Sequence, residues 1–257
     1  MTGWTAPSLL LRRTEYGDYD YIVTLLTEDR GKVTAVARNA KKSVKRFGGA
    51  LELFSHLTAS LRPVKRTGAM PVLQEVSIED GFSGIRSDFR LTAYASFWAE
   101  LVNAWLEPAV AHPATFQAMR RALDQLNRKQ GDPGQVSIRF LMQFLGDMGV
   151  APNLERCAAC KRPVDQLQTP LVSDTQGGGF RCRACAPPAS DGMMLSKGTV
   201  YQLRWLQHPD RPIGNRLRYS EATLRECLMF AEAFASYYLG RPLKSYHFLK
   251  ESRHRCP

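Results

Sequence analysis

Two Cys-x-x-Cys pairs constrain this chain more than any other feature of its sequence. The first pair is Cys157 and Cys160, and the second is Cys182 and Cys185. Each pair places two thiolates on one tight turn, and two such turns complete a tetrahedron around a soft divalent ion, most often zinc. Four sulfur ligands leave no position for a catalytic water. The spacing therefore predicts one structural zinc ion per chain.

The residues around the cysteines favour a zinc ribbon over 154–188. Pro163 and Pro170 interrupt any helix, and Gly177-Gly178-Gly179 supplies a turn before the second pair. Two disulfides, unrelated thiols and a redox-active pair are the alternatives. Because the N-terminus lacks the apolar core of a signal peptide, we expect a reducing cytoplasm, where thiolates remain free to bind metal.

Charge is the second informative feature. The chain has 35 Lys and Arg against 24 Asp and Glu, a net charge of +11, which favours a polyanionic partner. Hydrophobic residues make up 44% of the chain, and no run approaches the ~20 apolar residues of a membrane span, so we expect a packed core and no membrane contact. Cys227 falls in a helical apolar pattern and is expected in the core, whereas Cys256 is expected to be an exposed thiol.

The positive charge is concentrated in two clusters. The first has five cations within nine residues that contain no acidic side chain, and an aromatic residue follows it directly. Such runs can be solvated loops, but the neighbouring strand pattern favours binding of a polyanion, either a nucleic acid or an acidic protein segment. The residues predicted to contact a nucleic acid are Arg38, Lys41, Lys42, Lys45, Arg46, Phe47, Arg62, Lys65 and Arg66.

Residues 1–84 are predicted to form a small barrel. The segment 32–38 alternates strictly, with Val33, Ala35 and Ala37 on one face, and the segments 8–11, 21–27, 53–61 and 72–78 supply further strands. Five short strands suit an OB-fold, which binds single strands through a basic groove and stacked aromatics. The aromatics available for stacking are Tyr16, Tyr19, Tyr21, Phe47 and Phe54, of which Phe54 is better explained as core.

From about residue 85 the apolar period changes from two to 3.6. One helical stripe comprises Leu91, Tyr94, Trp98, Leu101 and Trp105, with Pro108 and Pro113 expected to end that helix. Asp132-Pro133, Ser196 and Ser220 are helix-start signals, and Gly240-Arg241-Pro242 is expected to stop the last helix. The sequence thus predicts an α+β protein, in which a helical domain over 85–257 carries the inserted zinc ribbon.

No motif indicates catalysis. The chain lacks a phosphate-binding G-x-x-x-x-G-K-[ST] loop, and its histidines share no metal-ligand spacing. Asp18-Tyr19-Asp20 lies between two strands and is better explained as a turn than as a metal site. We therefore expect a binding protein without enzymatic activity. The alternatives are a zinc-ribbon transcriptional regulator that binds duplex DNA and a metal-dependent nuclease.

Several segments resemble one bacterial family in the same order along the chain. They are 11–20, 22–27, 31–33, 46–54, 147–152 with Arg156-Cys157, and 240–245. In these segments the chain is similar to RecO, a recombination mediator family. The resemblance implies an OB-fold, a helical domain with a zinc ribbon, binding of single-stranded and duplex DNA, strand annealing, and recombinase loading in recombinational repair. It also implies that the protein acts at the nucleoid during repair.

The resemblance implies two protein partners as well. One is RecR, and the other is the acidic C-terminal tail of the single-stranded-DNA-binding protein. An acidic tail with an apolar end requires an apolar groove rimmed by cations, which we place on the helical domain. The residues predicted to contact it are Arg139, Phe140, Gln143, Phe144 and Lys244. For the two phenylalanines, burial in the core is the stronger alternative.

Overall fold

A computed structural model describes residues 2–66, 68–188, 191–207 and 219–255. The chain divides into two compact units: Met1–Gln130 with Leu243–Pro257, and Gly131–Pro242. Helices that follow the barrel pack with it in the first unit, and the division predicted after residue 84 stays a prediction about domains rather than about this packing.

Five strands form a closed barrel at the start of the first unit. They are β1 (Trp4–Tyr16), β2 (Asp20–Thr27), β3 (Gly31–Ala37), β4 (His56–Arg62) and β5 (Val72–Asp80). Their order around the barrel is β1-β2-β3-β5-β4, which confirms the predicted five-stranded OB-like barrel. The long strand β1 pairs with β4 through its first half and with β2 through its second, and a bulge between Leu10 and Arg12 lets it bend.

The barrel core follows the predicted alternation. Ala35 and Ala37 are fully buried and Val33 is partly buried against them, which confirms one inward face on β3. Phe54 is also buried, as expected. At Gly31 only glycine fits, because its φ is +67° and a Cβ atom would lie 1.8 Å from the carbonyl oxygen of Val110.

The described part of the first unit also contains four helices before residue 130, one between β3 and β4 and three after β5. They are α1 (Val44–Phe47), α2 (Ser83–Arg86), α3 (Phe89–Trp105) and α4 (Pro113–Asn127). Four residues of the predicted stripe on α3 are buried, whereas Trp105 is half-buried. Pro113 does not end α3 but occupies the first turn of α4, where its missing N–H has no intrahelical partner to lose.

The described part of the second unit contains three α-helices and a small sheet. Its elements are α5 (Pro133–Asp147), β6 (Leu171–Asp174), β7 (Gly179–Cys182), β8 (Met194–Leu195), α6 (Lys197–Leu206) and α7 (Glu221–Leu239). The side chains of Asp132, Ser196 and Ser220 accept backbone N–H bonds at the starts of α5, α6 and α7, as the sequence predicts. Gly240 ends α7 at φ 71°, which also agrees. The three strands follow the order β7-β6-β8.

A final helix, α8 (Lys244–Arg255), was not expected after the stop signal at residues 240–242. It packs against α3 in the first unit. The Glu100 carboxylate accepts hydrogen bonds from the backbone N–H groups of Lys244 and Ser245, and Arg253 donates to the Tyr94 hydroxyl at 3.0 Å. Within the described ranges, none of the helices is both long and apolar enough to cross a membrane.

We predict that Glu100→Ala destabilises α8. Partial burial alone would raise the pKa of Glu100, but hydrogen bonds from Ser245 and Lys244 outweigh it and lower the pKa below its ordinary 4.5. The lowered pKa means that this stabilisation is present above pH 4.5 and is lost as pH falls further. Loss of the cap should cost about 1 kcal/mol in the free energy of unfolding at neutral pH.

Denaturant unfolding at pH 7 and near pH 3.5 measures this effect, and hydrogen exchange over residues 244–253 locates it. Glu107→Ala, at an exposed position, is the matched control. A penalty for Glu100→Ala that is unchanged at the lower pH would contradict the charged cap.

Candidate nucleic-acid interface and metal centre

The two predicted basic clusters begin at adjacent positions of the barrel. Val72, the first residue of β5, pairs with Val36 of β3 on one side and with Arg62 of β4 on the other. Arg38 follows Val36 by two residues, and Lys65 follows Arg62 by three. We call the two clusters together the basic surface, whose members are Arg38, Lys41, Lys42, Lys45, Arg46, Arg62, Lys65 and Arg66.

The turn between β1 and β2 holds the start of the first cluster. The backbone N–H of Lys41 donates to the carbonyl oxygen of Tyr19 at 3.0 Å. The backbone N–H of Asn39 donates to the Asp20 carboxylate at 2.8 Å, so Asp20 serves the turn, as expected, rather than a metal. Asn39 adopts φ 54°, a left-handed conformation that asparagine tolerates. Residues 38–42 form a hydrogen-bonded turn that leads into α1.

Cations of the first cluster stack on tyrosine rings of the barrel. The Lys42 Nζ atom lies 3.5 Å from the centroid of the Tyr19 ring. The Tyr21 ring is contacted by Lys41 at 5.6 Å and by Arg13 at 5.0 Å. The basic clusters predicted from the sequence do not include Arg13, because it has only Arg12 beside it and both lie within a strand. Arg13 lies two residues before Glu15, which pairs with Tyr21 across the ladder. The side chains of Arg13 and Tyr21 therefore lie on the same face of the sheet.

The cations differ in how much of their charge is already neutralised. Lys41 pairs with Glu15 at 3.0 Å, and Arg13 pairs with Glu52 at 2.9 Å. Among the described residues, no carboxylate lies within 4.0 Å of the charged groups of Arg38, Lys42 or Lys45. These three exposed side chains are therefore the ones in the first cluster most available to an anion.

Arg46 and Phe47 have structural contacts instead. The Arg46 guanidinium donates to the Ser43 hydroxyl at 2.9 Å and to the Arg38 carbonyl at 2.8 Å, and it lies 4.9 Å from the Phe47 ring centroid. Phe47 itself is only 3% exposed and packs in the barrel core. The structure thus corrects the predicted DNA contact of Phe47, because a buried ring cannot stack on a base. The second cluster, in contrast, is exposed at Arg62, Lys65 and Arg66.

The four cysteines of the two pairs come together in the second unit. Their sulfur atoms all lie within 4.8 Å of one another, and those of Cys160 and Cys182 are 3.9 Å apart. Tetrahedral bonds of ~2.3 Å to a metal would separate the sulfurs by about 3.8 Å, whereas a disulfide needs ~2.05 Å. The cluster can therefore hold a metal ion, and its spacing does not fit disulfides.

Backbone contacts fix the two cysteine turns. The Cys182 N–H donates to the Cys157 sulfur at 3.3 Å, and the Ala158 N–H donates to the carbonyl of Phe180 at 2.8 Å. Gly179 lies so close to Asn153 that a Cβ atom would be 2.2 Å from its carbonyl oxygen. The sequence predicts a turn through Gly177-Gly178-Gly179. This turn also brings two segments of the ribbon close together, which requires glycine at residue 179.

The electrostatics of the sulfurs favour a bound cation. A hydrogen bond from Arg162 lowers the pKa of Cys160 to about 6. Hydrogen bonds with the sulfurs of Cys182 and Cys160 raise the pKa of Cys185 to about 12, because a further thiolate would face negative charge. Four thiolates cannot form side by side without an opposing charge, and a divalent metal supplies it.

The other two cysteines lie apart from this cluster or outside the description. Cys227 is buried on α7, as predicted, and burial raises the pKa of its thiol to about 12. It is therefore a neutral core residue. Cys256, expected to be exposed, lies outside the described residues.

The structure does not gather the predicted partner-binding residues at an apolar groove. Phe140 and Phe144 are 2% and 0% exposed and stack on each other in the core of the second unit, so they cannot form the walls of an open groove. Arg139 and Gln143 are half-buried on the same helix, and burial lowers the pKa of Arg139. Lys244 belongs to the first unit, where its backbone N–H is bound by Glu100.

Comparison with known proteins covers nearly the whole chain. The family described as Recombination protein O N terminal matches residues 1–82, and Recombination protein O C terminal matches residues 86–247. The DNA repair protein RecO of Desulfatibacillum aliphaticivorans is 40% identical over 98% of each chain. The protein of the same name from Desulfosudis oleivorans is 35% identical over 99% of this chain and 100% of its own. That of Bacillus subtilis is 30% identical over 95% and 92%.

We predict that Cys160→Ser and Cys185→Ser each abolish tight metal binding. A serine hydroxyl is a poor substitute for a thiolate, and structural metal sites contribute on the order of 10 kcal/mol in isolated fingers. Elemental analysis should show the loss of bound metal, and hydrogen exchange should rise across residues 154–188. Cys227→Ser is the control, since that thiol lies outside the cluster and should leave metal content unchanged. A ribbon that stays protected without metal would contradict this role.

Proposed function

The chain belongs to the RecO family of DNA repair proteins, and we propose that it binds DNA through the basic surface of its barrel without covalent chemistry. The observation that carries this proposal is the arrangement of Arg38, Lys42 and Lys45, whose charges no carboxylate neutralises among the described residues. Loops of OB barrels are common sites of oligonucleotide binding, and this surface lies on two of the barrel's connections.

Phosphate contacts of this kind support annealing as well as binding. Two complementary strands repel each other through their phosphates, and cations that neutralise the phosphates lower that repulsion. Such contacts carry no base information, so the protein would act on any sequence. From this property, and from membership in the family, we propose that the protein anneals complementary strands and helps to load recombinase onto coated single strands.

We propose that the metal is zinc and that its role is structural. The cluster offers four sulfur ligands, the set that zinc favours in closed tetrahedral sites, and such a site has no open position for catalysis. In the bacterial cytoplasm, where we place the protein, these thiolates stay reduced. Zinc would then stabilise the ribbon between α5 and α6 rather than take part in a reaction.

We propose two protein partners, RecR and the acidic C-terminal tail of the single-stranded-DNA-binding protein. Arg139 is the best candidate for the tail among the predicted residues. It is half-buried on α5, so that its Nε atom is buried while part of the side chain stays accessible. A carboxylate of the tail would bind the accessible part of the guanidinium, a group that pairs with carboxylates through two parallel hydrogen bonds.

We predict that replacing the three available cations by glutamine weakens DNA binding for all sequences alike. The triple variant Arg38→Gln, Lys42→Gln, Lys45→Gln should reduce the slope of log affinity against log salt by about 2 for single strands, at ~0.7 for each lost contact. Titration of labelled DNA at several salt concentrations measures the slope.

A second triple variant with the same loss of charge serves as the control. It carries Arg121→Gln, Arg128→Gln and Arg225→Gln, which lie outside the basic surface, and should retain most of the slope. Neither protein nor the parent should hydrolyse ATP or DNA. Equal slopes for the two triple variants would move the binding surface elsewhere and refute the assignment.

We predict that Arg139→Gln weakens binding of an acidic tail peptide by roughly 10-fold or more, as loss of a charged hydrogen bond of about 1.5–3 kcal/mol implies. Isothermal titration of the full chain with the peptide measures the affinity. Arg225→Gln is the matched control, because Arg225 is exposed and already paired with Glu221 at 3.0 Å. If Lys244→Gln rather than Arg139→Gln weakens binding, the tail lies on the first unit instead.

A further inference from the structure

The structure separates five candidate stacking aromatics into three groups. Phe47 and Phe54 are buried in the barrel. Tyr21 lies against two cations, Arg13 and Lys41, and is half-buried. Only the remaining two, Tyr16 and Tyr19, expose large areas of ring, with 54% and 43% of their surfaces accessible.

These two tyrosines flank one tight turn. Tyr16 is the last residue of β1 and pairs with Asp20 of β2, about 5 Å across the ladder. Tyr19 precedes Asp20 directly, so both rings project from the same hairpin end. The turn is held in place by the hydrogen bond from Lys41 to the Tyr19 carbonyl. Two exposed rings on a fixed turn are a ready platform for neighbouring bases.

Charges around the turn favour bases over phosphates at this point. Asp18 and Asp20 place carboxylates at the turn, in a chain that is otherwise strongly basic. Phosphates are repelled by these carboxylates, whereas an uncharged base is not. Lys42, whose ammonium lies over the Tyr19 ring, is the nearest available cation and can contact the phosphate of a base that stacks here. Duplex DNA presents its phosphates and hides its base faces, so the turn discriminates against it.

We infer that Tyr16 and Tyr19 form a base-stacking platform that makes the barrel prefer single-stranded DNA to duplex. The inference rests on the proposed DNA binding by the basic surface, and it adds the feature that selects the strand state. The cations hold either form of DNA by its phosphates, and the two rings bind only unpaired bases. An annealed product would lose the stacking contacts and be released more readily than its separate strands.

The test compares affinities for a labelled oligothymidylate and for a labelled duplex of the same length. Tyr16→Leu and Tyr19→Leu should each weaken binding of the single strand by roughly 5- to 150-fold, the range typical of one lost base–aromatic stack, and leave duplex affinity unchanged. Tyr16→Phe and Tyr19→Phe keep the ring and should restore single-strand affinity. Tyr237→Leu, at a tyrosine 49% exposed in the second unit, is the matched control and should change neither affinity.

Two results would overturn the platform. One is an equal loss of affinity for single strand and duplex in the leucine variants, and the other is no loss for either. Failure of the platform is distinguishable from failure of DNA binding at the basic surface, because only the latter predicts that the glutamine triple variant keeps its salt slope.

A second measurement uses the unaltered protein, so it does not depend on how the variants fold. Photo-crosslinking with an oligonucleotide that contains 5-iododeoxyuridine, followed by peptide mass spectrometry, should give adducts at Tyr16 or Tyr19. Adducts confined to other residues would contradict the platform.

Discussion

Closure of the barrel at Val72 is the constraint on which the proposed DNA site depends. This residue pairs with β3 through Val36 and with β4 through Arg62, so one short contact joins strands that are far apart in sequence. The two basic clusters follow those strands directly and therefore start side by side. Without this closure, the same cations would lie on unconnected loops, and each phosphate contact would require ordering of its own loop.

The β1–β2 turn adds a second level of order to this surface. Hydrogen bonds to Tyr19 and Asp20 hold the first cluster against the barrel before any DNA arrives. Binding to groups that are already placed costs less conformational entropy than binding to a mobile loop. The pairing of Lys41 with Glu15 has a different effect, since it removes one cation from the set that is free to bind phosphates. Affinity should therefore depend on a few residues rather than on the total positive charge.

Local patterns in the sequence predicted the features that local interactions determine. The alternation of Val33, Ala35 and Ala37 and the spacing of the cysteine pairs each reflect one strand or one turn, and both predictions agree with the structure. Features that depend on distant partners were missed. Helix α8 is capped by Glu100, far away in sequence, and Phe47 turns into the core although Lys45 and Arg46 precede it. The place of α8 in the first unit could not be predicted for the same reason, because this helix joins that unit only through tertiary packing.

Hydrogen exchange of the full chain with and without a single-stranded oligonucleotide tests the central claim most directly. The account predicts that slowed exchange appears around residues 17–21, 38–47 and 62–66, the turn and the two clusters of the barrel. The ribbon at 154–188 should exchange at the same rate in both samples as long as its metal is bound. Protection confined to residues 131–242, with the barrel unaffected, would contradict the assignment of DNA binding to the basic surface.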